Sequence, residues 1–138
     1  MGIILDSSIV ISAERRGDTV ARLLHNIISV TGDQEVGLST VGLTELIHGI
    51  YRANTPERRK TRELFINELI SFVGISPFTK EAALIAGKID GEQQAKGIVI
   101  PFTDLLIGAT ALSLGYSVIT INPRDFSRIP GLSVTQLT

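Results

Sequence analysis

Residues 101–121 read PFTDLLIGATALSLGYSVITI. The stretch divides at Gly115. Before the glycine, an almost wholly apolar segment opened by Thr103 predicts a buried helix that Thr103 caps and Gly115 ends. After it, Ser117–Ile121 is a short β-branched run of strand length. A buried helix that leads at once into a buried strand is the unit of an α/β fold. One residue does not fit the apolar pattern: Asp104 places a carboxylate near the front of the helix. It is a helix-end charge, a paired core charge, or part of a site.

The same alternation recurs on both sides. Gly2–Leu5 is an apolar run ending at Asp6 and Ser7, as a buried strand does, and residues 7–14 follow as a short helix. Asp18 is placed to cap a helix from about Thr19 to Val30 that ends at Gly32, with Val20, Leu23, Leu24, Ile27 and Ile28 on one face. Val36–Ser39 is a second strand, and Thr40 opens the next helix. Thr55-Pro56-Glu57 is a strong helix start: cap, proline at the first helical position, acid in the first turn. That helix presents Leu64, Phe65, Leu69 and Ile70. Phe72–Ile75 reads as a third strand, and Thr79 starts a helix ending near Lys96-Gly97, with Ala82, Ala83, Ile85, Ala86 and Ile89 inward. Ser133–Leu137 is a last, edge strand. The short runs are apolar throughout, as in strands covered on both faces. The expectation is one domain over residues 1–138: a three-layer α/β/α sandwich with a mainly parallel sheet.

Composition narrows the function classes. With 138 residues, 43% hydrophobic and 20% charged, the chain has enough material for a real core. A net charge of −1 gives no general basic field for nucleic acid, although a local basic surface remains open. There are no cysteines, which excludes disulfides and cysteine-based zinc sites and fits a reducing cytoplasm. The N-terminal stretch lacks the basic region of a signal peptide, and no apolar run is long enough to span a bilayer. Mean hydropathy is +0.29, and the apolar excess points to a face covered by another subunit or a partner.

In a parallel α/β sheet, strand C-terminal ends and the N-terminal ends of the following helices share one edge, where ligands bind. Asp6 ends strand one. Glu45 lies about one and a half turns into the helix after strand two. Asp104 heads the helix leading into the strand VITI, and Asp125 follows that strand in the loop NPRDF. Four acids distant in sequence therefore converge on one edge. Singly, each has an ordinary structural reading as a turn, cap, exposed helical or loop residue. Together they repel one another unless a cation intervenes, and Mg2+ or Mn2+ with oxygen ligands is the natural one. The chemistry reached is metal-assisted phosphoester hydrolysis.

Four segments in this order and spacing, LDSSIVI, STVGLTELIHG, FTDLLIGATAL and VITINPRDF, resemble the PIN-domain ribonucleases, and more narrowly the VapC-type toxins of toxin–antitoxin pairs. The resemblance spans essentially the whole chain. It implies an α/β/α sandwich and a site of three invariant acids, matched by Asp6, Glu45 and Asp104, with a more variable fourth at Asp125. The fourth motif is met by Thr120, Asn122, Asp125 and Phe126. Many relatives carry Asp where this chain has Asn122, and Asn where it has Ser8; Gly108 replaces a common alanine. The resemblance further implies Mg2+- or Mn2+-dependent endonucleolytic cleavage of RNA leaving a 5′-phosphate and a 3′-hydroxyl. It also implies a homodimer and a small antitoxin whose C-terminal segment covers the site. On this expectation Asp6, Asp104 and Asp125 hold the metal, Glu45 positions water or acts as general base, and Ser8, Thr120 and Asn122 line the site.

Other motifs carry less. Glu45 and His48 form an E-x-x-H pair without the second copy a di-iron bundle needs, so His48 is read as a packing or rim residue and His25 as structural. Residues 56–63, PERRKTRE, are a solvated basic face or an RNA-backbone contact; Arg15, Arg16, Arg52 and Arg124 are further phosphate candidates. No phosphate-binding glycine motif is present. A phospho-receiver lacks its middle-strand Asp here, and a dehalogenase-type phosphatase lacks its D-x-D, because Ser7-Ser8 follow Asp6. A catalytically silent PIN fold serving as a binding module is the remaining alternative.

Overall fold

The computed structural model describes all residues 1–138. Five strands form one sheet in the order β3-β2-β1-β4-β5, and all four pairings are parallel. The strands are β1 (Gly2–Leu5), β2 (Glu35–Ser39), β3 (Gly74–Ser76), β4 (Ser117–Thr120) and β5 (Val134–Gln136). The helices are α1 (Ser7–Arg15), α2 (Val20–Thr31), α3 (Thr40–Tyr51), α4 (Pro56–Phe72), α5 (Lys80–Ala95), α6 (Phe102–Leu114) and the one-turn α7 (Pro123–Phe126).

The alternation of side chains along the strands separates two cores. Ile3 and Leu5 of β1 and Ile119 of β4 face a layer containing α1, α2, α3 and α4. Ile4 and Val118, on the opposite face, pack under α5, α6 and Phe126 of α7. Both faces are covered, which is why Ile3, Ile4 and Leu5 of β1 and Val118 and Ile119 of β4 are apolar without alternation. α6 is buried nearly all round, from Leu105 through Ala111, and carries no polar stripe. None of the helices is long and apolar enough to cross a membrane.

Several expected details shift. The third strand is Gly74–Ser76, not Phe72–Ile75: α4 runs on to Phe72, and Val73 turns extended directly after it. The only local mark of the change is Gly74, which opens the strand one residue after Val73. On α4 the buried residues are Ile66 and Leu69, while Leu64 is exposed. Ala83 faces solvent on α5. Thr19, not Asp18, caps α2 by accepting the N–H of Arg22. α6 begins two residues earlier than expected, with Pro101 at its N-cap, so Thr103 lies inside the first turn and caps nothing. Asp125 sits in α7 rather than in a loop.

Candidate active site

The register of the sheet builds the site. Leu5 pairs with Ile119 across β1 and β4, so Asp6 falls beside Thr120 one residue further on. The Asp6 N–H continues the ladder by donating to the carbonyl of Ile119 at 3.0 Å. Asp6 is also the N-cap of α1, yet its carboxylate does not cap the helix. Instead Oδ2 accepts two hydroxyls, Ser8 Oγ at 2.6 Å and Thr120 Oγ1 at 2.8 Å. Thr120 is fully buried, and its hydroxyl oxygen in turn accepts the N–H of Asn122 at 3.0 Å. Asp6 is thus a buried charge held by fixed donors, with Oδ1 left over.

Glu45 arrives on α3. Ser39 ends β2 and caps α3 by accepting the N–H of Gly42 at 2.9 Å, so the helix starts at the ligand edge without a loop. A Cβ on Gly42 would crowd Ser39 Oγ at 3.3 Å and lie 4.0 Å from the carbonyl oxygen of Leu5. This close approach brings α3 against the end of β1. Ser7 Oγ then donates to Glu45 Oε1 at 2.9 Å, leaving Oε2 free. Burial pushes the Glu45 carboxyl up, the Ser7 hydrogen bond draws it down, and the charge of Asp6 pushes it up again.

Asp104 stands in the first turn of α6. Burial raises its pKa from 3.8 to about 6, reinforced by the charges of Asp6, Asp125 and Glu45 in that order. No hydrogen bond contributes to holding its charge. Asp125, on α7, is partly exposed and faces Arg128 Nη1 at 3.7 Å. The four acids expected at one edge therefore do meet there electrostatically, drawn from four elements. Sequence reasoning missed Ser7, whose only signal was its place directly after Asp6, and Arg128.

The other expected residues divide. Ser8 and Thr120 lie at the centre, as donors to Asp6 rather than as lining. Asn122 is exposed and contributes its backbone N–H. Arg124 is exposed beside Asp125 on α7. Arg52 lies at the far end of α3, and Arg16 is turned to Asp18 and Ser12 at 2.8 and 2.7 Å. Arg15 sits at the far end of α1. Between these ends lie three adjoining hollows that share lining residues and together make up a furrow: an acidic mouth with Ser7, Glu45 and His48, an apolar middle with Val10, Leu46 and Ile66, and an end where Arg15, Arg58 and Arg62 accompany Glu14. Arg62, read from sequence as part of a solvated face, is partly buried and donates to the carbonyl of Gly49 at 2.9 Å.

The donor set fits a hard divalent cation. It is all oxygen, each of Asp6 and Glu45 keeps a free carboxylate oxygen, and Asp104 carries a destabilised charge with no protein partner. As the side chains stand, no three acidic or histidine groups are close enough to enclose an ion together. The arrangement is an open mouth whose side chains must move to close on an ion.

The PIN-domain family model matches residues 3–132. Ribonuclease VapC1 of Rickettsia felis is 35% identical over 134 residues, covering 97% of this chain and 95% of the relative. The tRNA(fMet)-specific endonuclease VapC of Salmonella typhimurium is 33% identical over 97 residues, covering 70% and 71%. Among solved structures, DNA-bound VapBC from Salmonella typhimurium superposes with a TM-score of 0.81 at 27% identity, covering 99% of this chain and 98% of the other. With the five-strand parallel sheet and its acidic edge, these matches place the chain: it belongs to the PIN-domain family, in the branch of the VapC proteins.

Proposed function

We propose that this chain is a metal-dependent endoribonuclease and the toxin of a type II toxin–antitoxin pair. The observation that carries the reading is Asp104. Burial first, and then three other carboxylates on separate elements, push its pKa up, and no protein group compensates it. A fold keeps such a group where a cation completes it. The names of the relatives, ribonuclease and tRNA(fMet)-specific endonuclease, point to RNA as the substrate class.

Asp6, Asp104 and Asp125 would hold Mg2+ or Mn2+. When bound, the ion offsets charge on the phosphate and makes water more acidic. Asp6 is the rigid ligand, fixed by Ser8 and Thr120. Glu45 takes the proton of the attacking water, and its raised pKa brings it nearer to neutrality, where a general base works best. Ser7 holds Glu45 by one oxygen and leaves the other for that proton. Attack at phosphorus leaves a 5′-phosphate and a 3′-hydroxyl. Arg124, Arg15 and Arg52 contact the RNA backbone, and their contribution falls with salt.

The furrow between α1, α3 and α4 suits an antitoxin segment. A basic side chain at its acidic mouth and apolar side chains in its middle match what lines it. Exposed apolar side chains such as Phe102, Val99 and Leu84 support a homodimer, and the absence of cysteine fits a cytoplasmic protein. The test is cleavage of end-labelled RNAs by the purified protein in Mg2+, with and without EDTA. Cleavage in Mg2+ that EDTA abolishes, with 5′-phosphate ends, is the expected result. No metal-dependent cleavage across a broad RNA panel favours a binding module instead.

A further inference from the structure

One charged side chain at the edge of the site has no part in this chemistry. Arg128 follows α7, three positions after Asp125. Its Nη1 donates to the carbonyl of Val99 at 2.8 Å and stands 3.7 Å from Asp125 Oδ1. Its backbone is fixed as well: the N–H donates to the carbonyl of Asp125 at 3.2 Å, and the carbonyl accepts from Gln93 Nε2 at 3.0 Å. Gln93 is a buried polar residue of α5 whose own carbonyl takes the N–H of Ile98 at 2.9 Å. Arg128 therefore joins the end of α5, the connection that follows it, and α7. That connection passes through Pro101 into the first turn of α6, where Asp104 lies.

Asp104 and Asp125 repel each other and sit on different elements. Asp125 is about a third exposed and has room to swing into solvent. We infer that Arg128 is a positioning residue for the metal site: by tying Val99 to Asp125 it sets the separation of Asp104 and Asp125, and so the affinity for a divalent cation. The inference rests on the metal-dependent reading above. A guanidinium on one carboxylate oxygen leaves the other for an ion and holds the side chain in place. The two groups form an ion pair beyond hydrogen-bond distance, 3.7 Å apart and partly in water, so solvent weakens both the pull on Asp125 and the guanidinium's opposition to a bound cation, and what remains is the bias it gives the carboxylate's position. Truncating the side chain removes that bias, and loss of such outer partners typically weakens metal binding about 10- to 100-fold.

The experiment is Mn2+ binding to the purified full chain, followed by the EPR signal of free Mn2+, well below the melting temperature. Wild type, Arg128→Ala and Arg128→Lys are compared, with circular dichroism to confirm the fold. Wild type binds, and Arg128→Ala binds about tenfold more weakly or worse with an unchanged spectrum. Equal affinity overturns the inference. Tighter binding also overturns it, because the arginine would then be holding Asp125 out of the site. If Arg128→Ala does not fold, Arg128→Lys decides: it keeps a charge but not the rigid fork, so weaker binding than wild type supports the inference and equal binding overturns it. A wild type that binds no Mn2+ overturns the metal reading and this inference together, an outcome distinct from the others.

Discussion

The junction of β1 with α1 and the first turn of α6 each put an aspartate at the same sheet edge, and the fold treats them oppositely. Asp6 is buried and takes two hydroxyl donors on one oxygen, one of them from a fully buried threonine. Asp104 is half-exposed, takes no donor, and feels three like charges. One carboxylate is compensated by the protein and the other is left for something else. The difference teaches where a cation acts: it adds least at Asp6, whose place is already fixed, and most at Asp104, whose charge is otherwise a burden on the fold.

The comparison breaks most visibly at Thr120. Replacing it with valine keeps the shape, removes a donor from Asp6 and leaves the Asn122 N–H without its acceptor. The expected cost is about 2 kcal/mol, read from urea unfolding of the metal-free protein. A neutral Thr120→Val would mean that Asp6 does not depend on its hydroxyls.

Asp104 has the opposite sign. Its pKa is higher in the folded than in the unfolded chain, so the native state binds the extra proton. Its penalty is absent below the unfolded value of 3.8 and grows as the pH rises through about 6. Asp104→Asn is therefore expected to stabilise the metal-free protein above neutrality, by on the order of 1 kcal/mol once solvent screening of a half-exposed group is included. The gain shrinks towards zero near pH 4, in melting curves taken across the range. A constant difference at all pH values would contradict the assignment.

The smallest effect concerns how α6 is anchored. A Cβ on Gly108 would run into the side chain of buried Ile129 and approach Leu132 at 3.2 Å. Gly108→Ala gains helix propensity but overpacks this contact, and a net loss of about 1 kcal/mol is expected from denaturant melts. A stabilised variant would show that the core beneath α6 yields.

The sequence made the sheet and its acidic edge legible because both depend on short-range signals. Apolar runs such as Gly2–Leu5, Val36–Ser39 and Ser117–Ile121 announce buried parallel strands, and the strand-to-helix order alone places four acids on one side. What was illegible had little or no local mark. The change from α4 to β3 passes through Phe72 and Val73, both good strand residues, and only Gly74 after them interrupts the helix. Thr103 looks like a cap, yet Pro101, two residues earlier, starts α6. Arg62 and Arg128 look like solvated charges until Gly49 and Val99, distant in sequence, supply carbonyls for them. Of the two hydroxyls on Asp6, that of Ser8 is local, while that of Thr120 follows from the register of β1 against β4, which composition does not encode.

The most direct test of the central claim compares RNA cleavage by wild type and Asp104→Asn in excess Mg2+, at equal protein and with the fold of both confirmed. If the uncompensated carboxylate belongs to the hydrolytic centre, the variant loses more than about a hundredfold in rate, beyond the loss typical of an outer partner, while folding at least as stably as wild type. An Asp104→Asn protein that cleaves RNA at the wild-type rate would contradict the account.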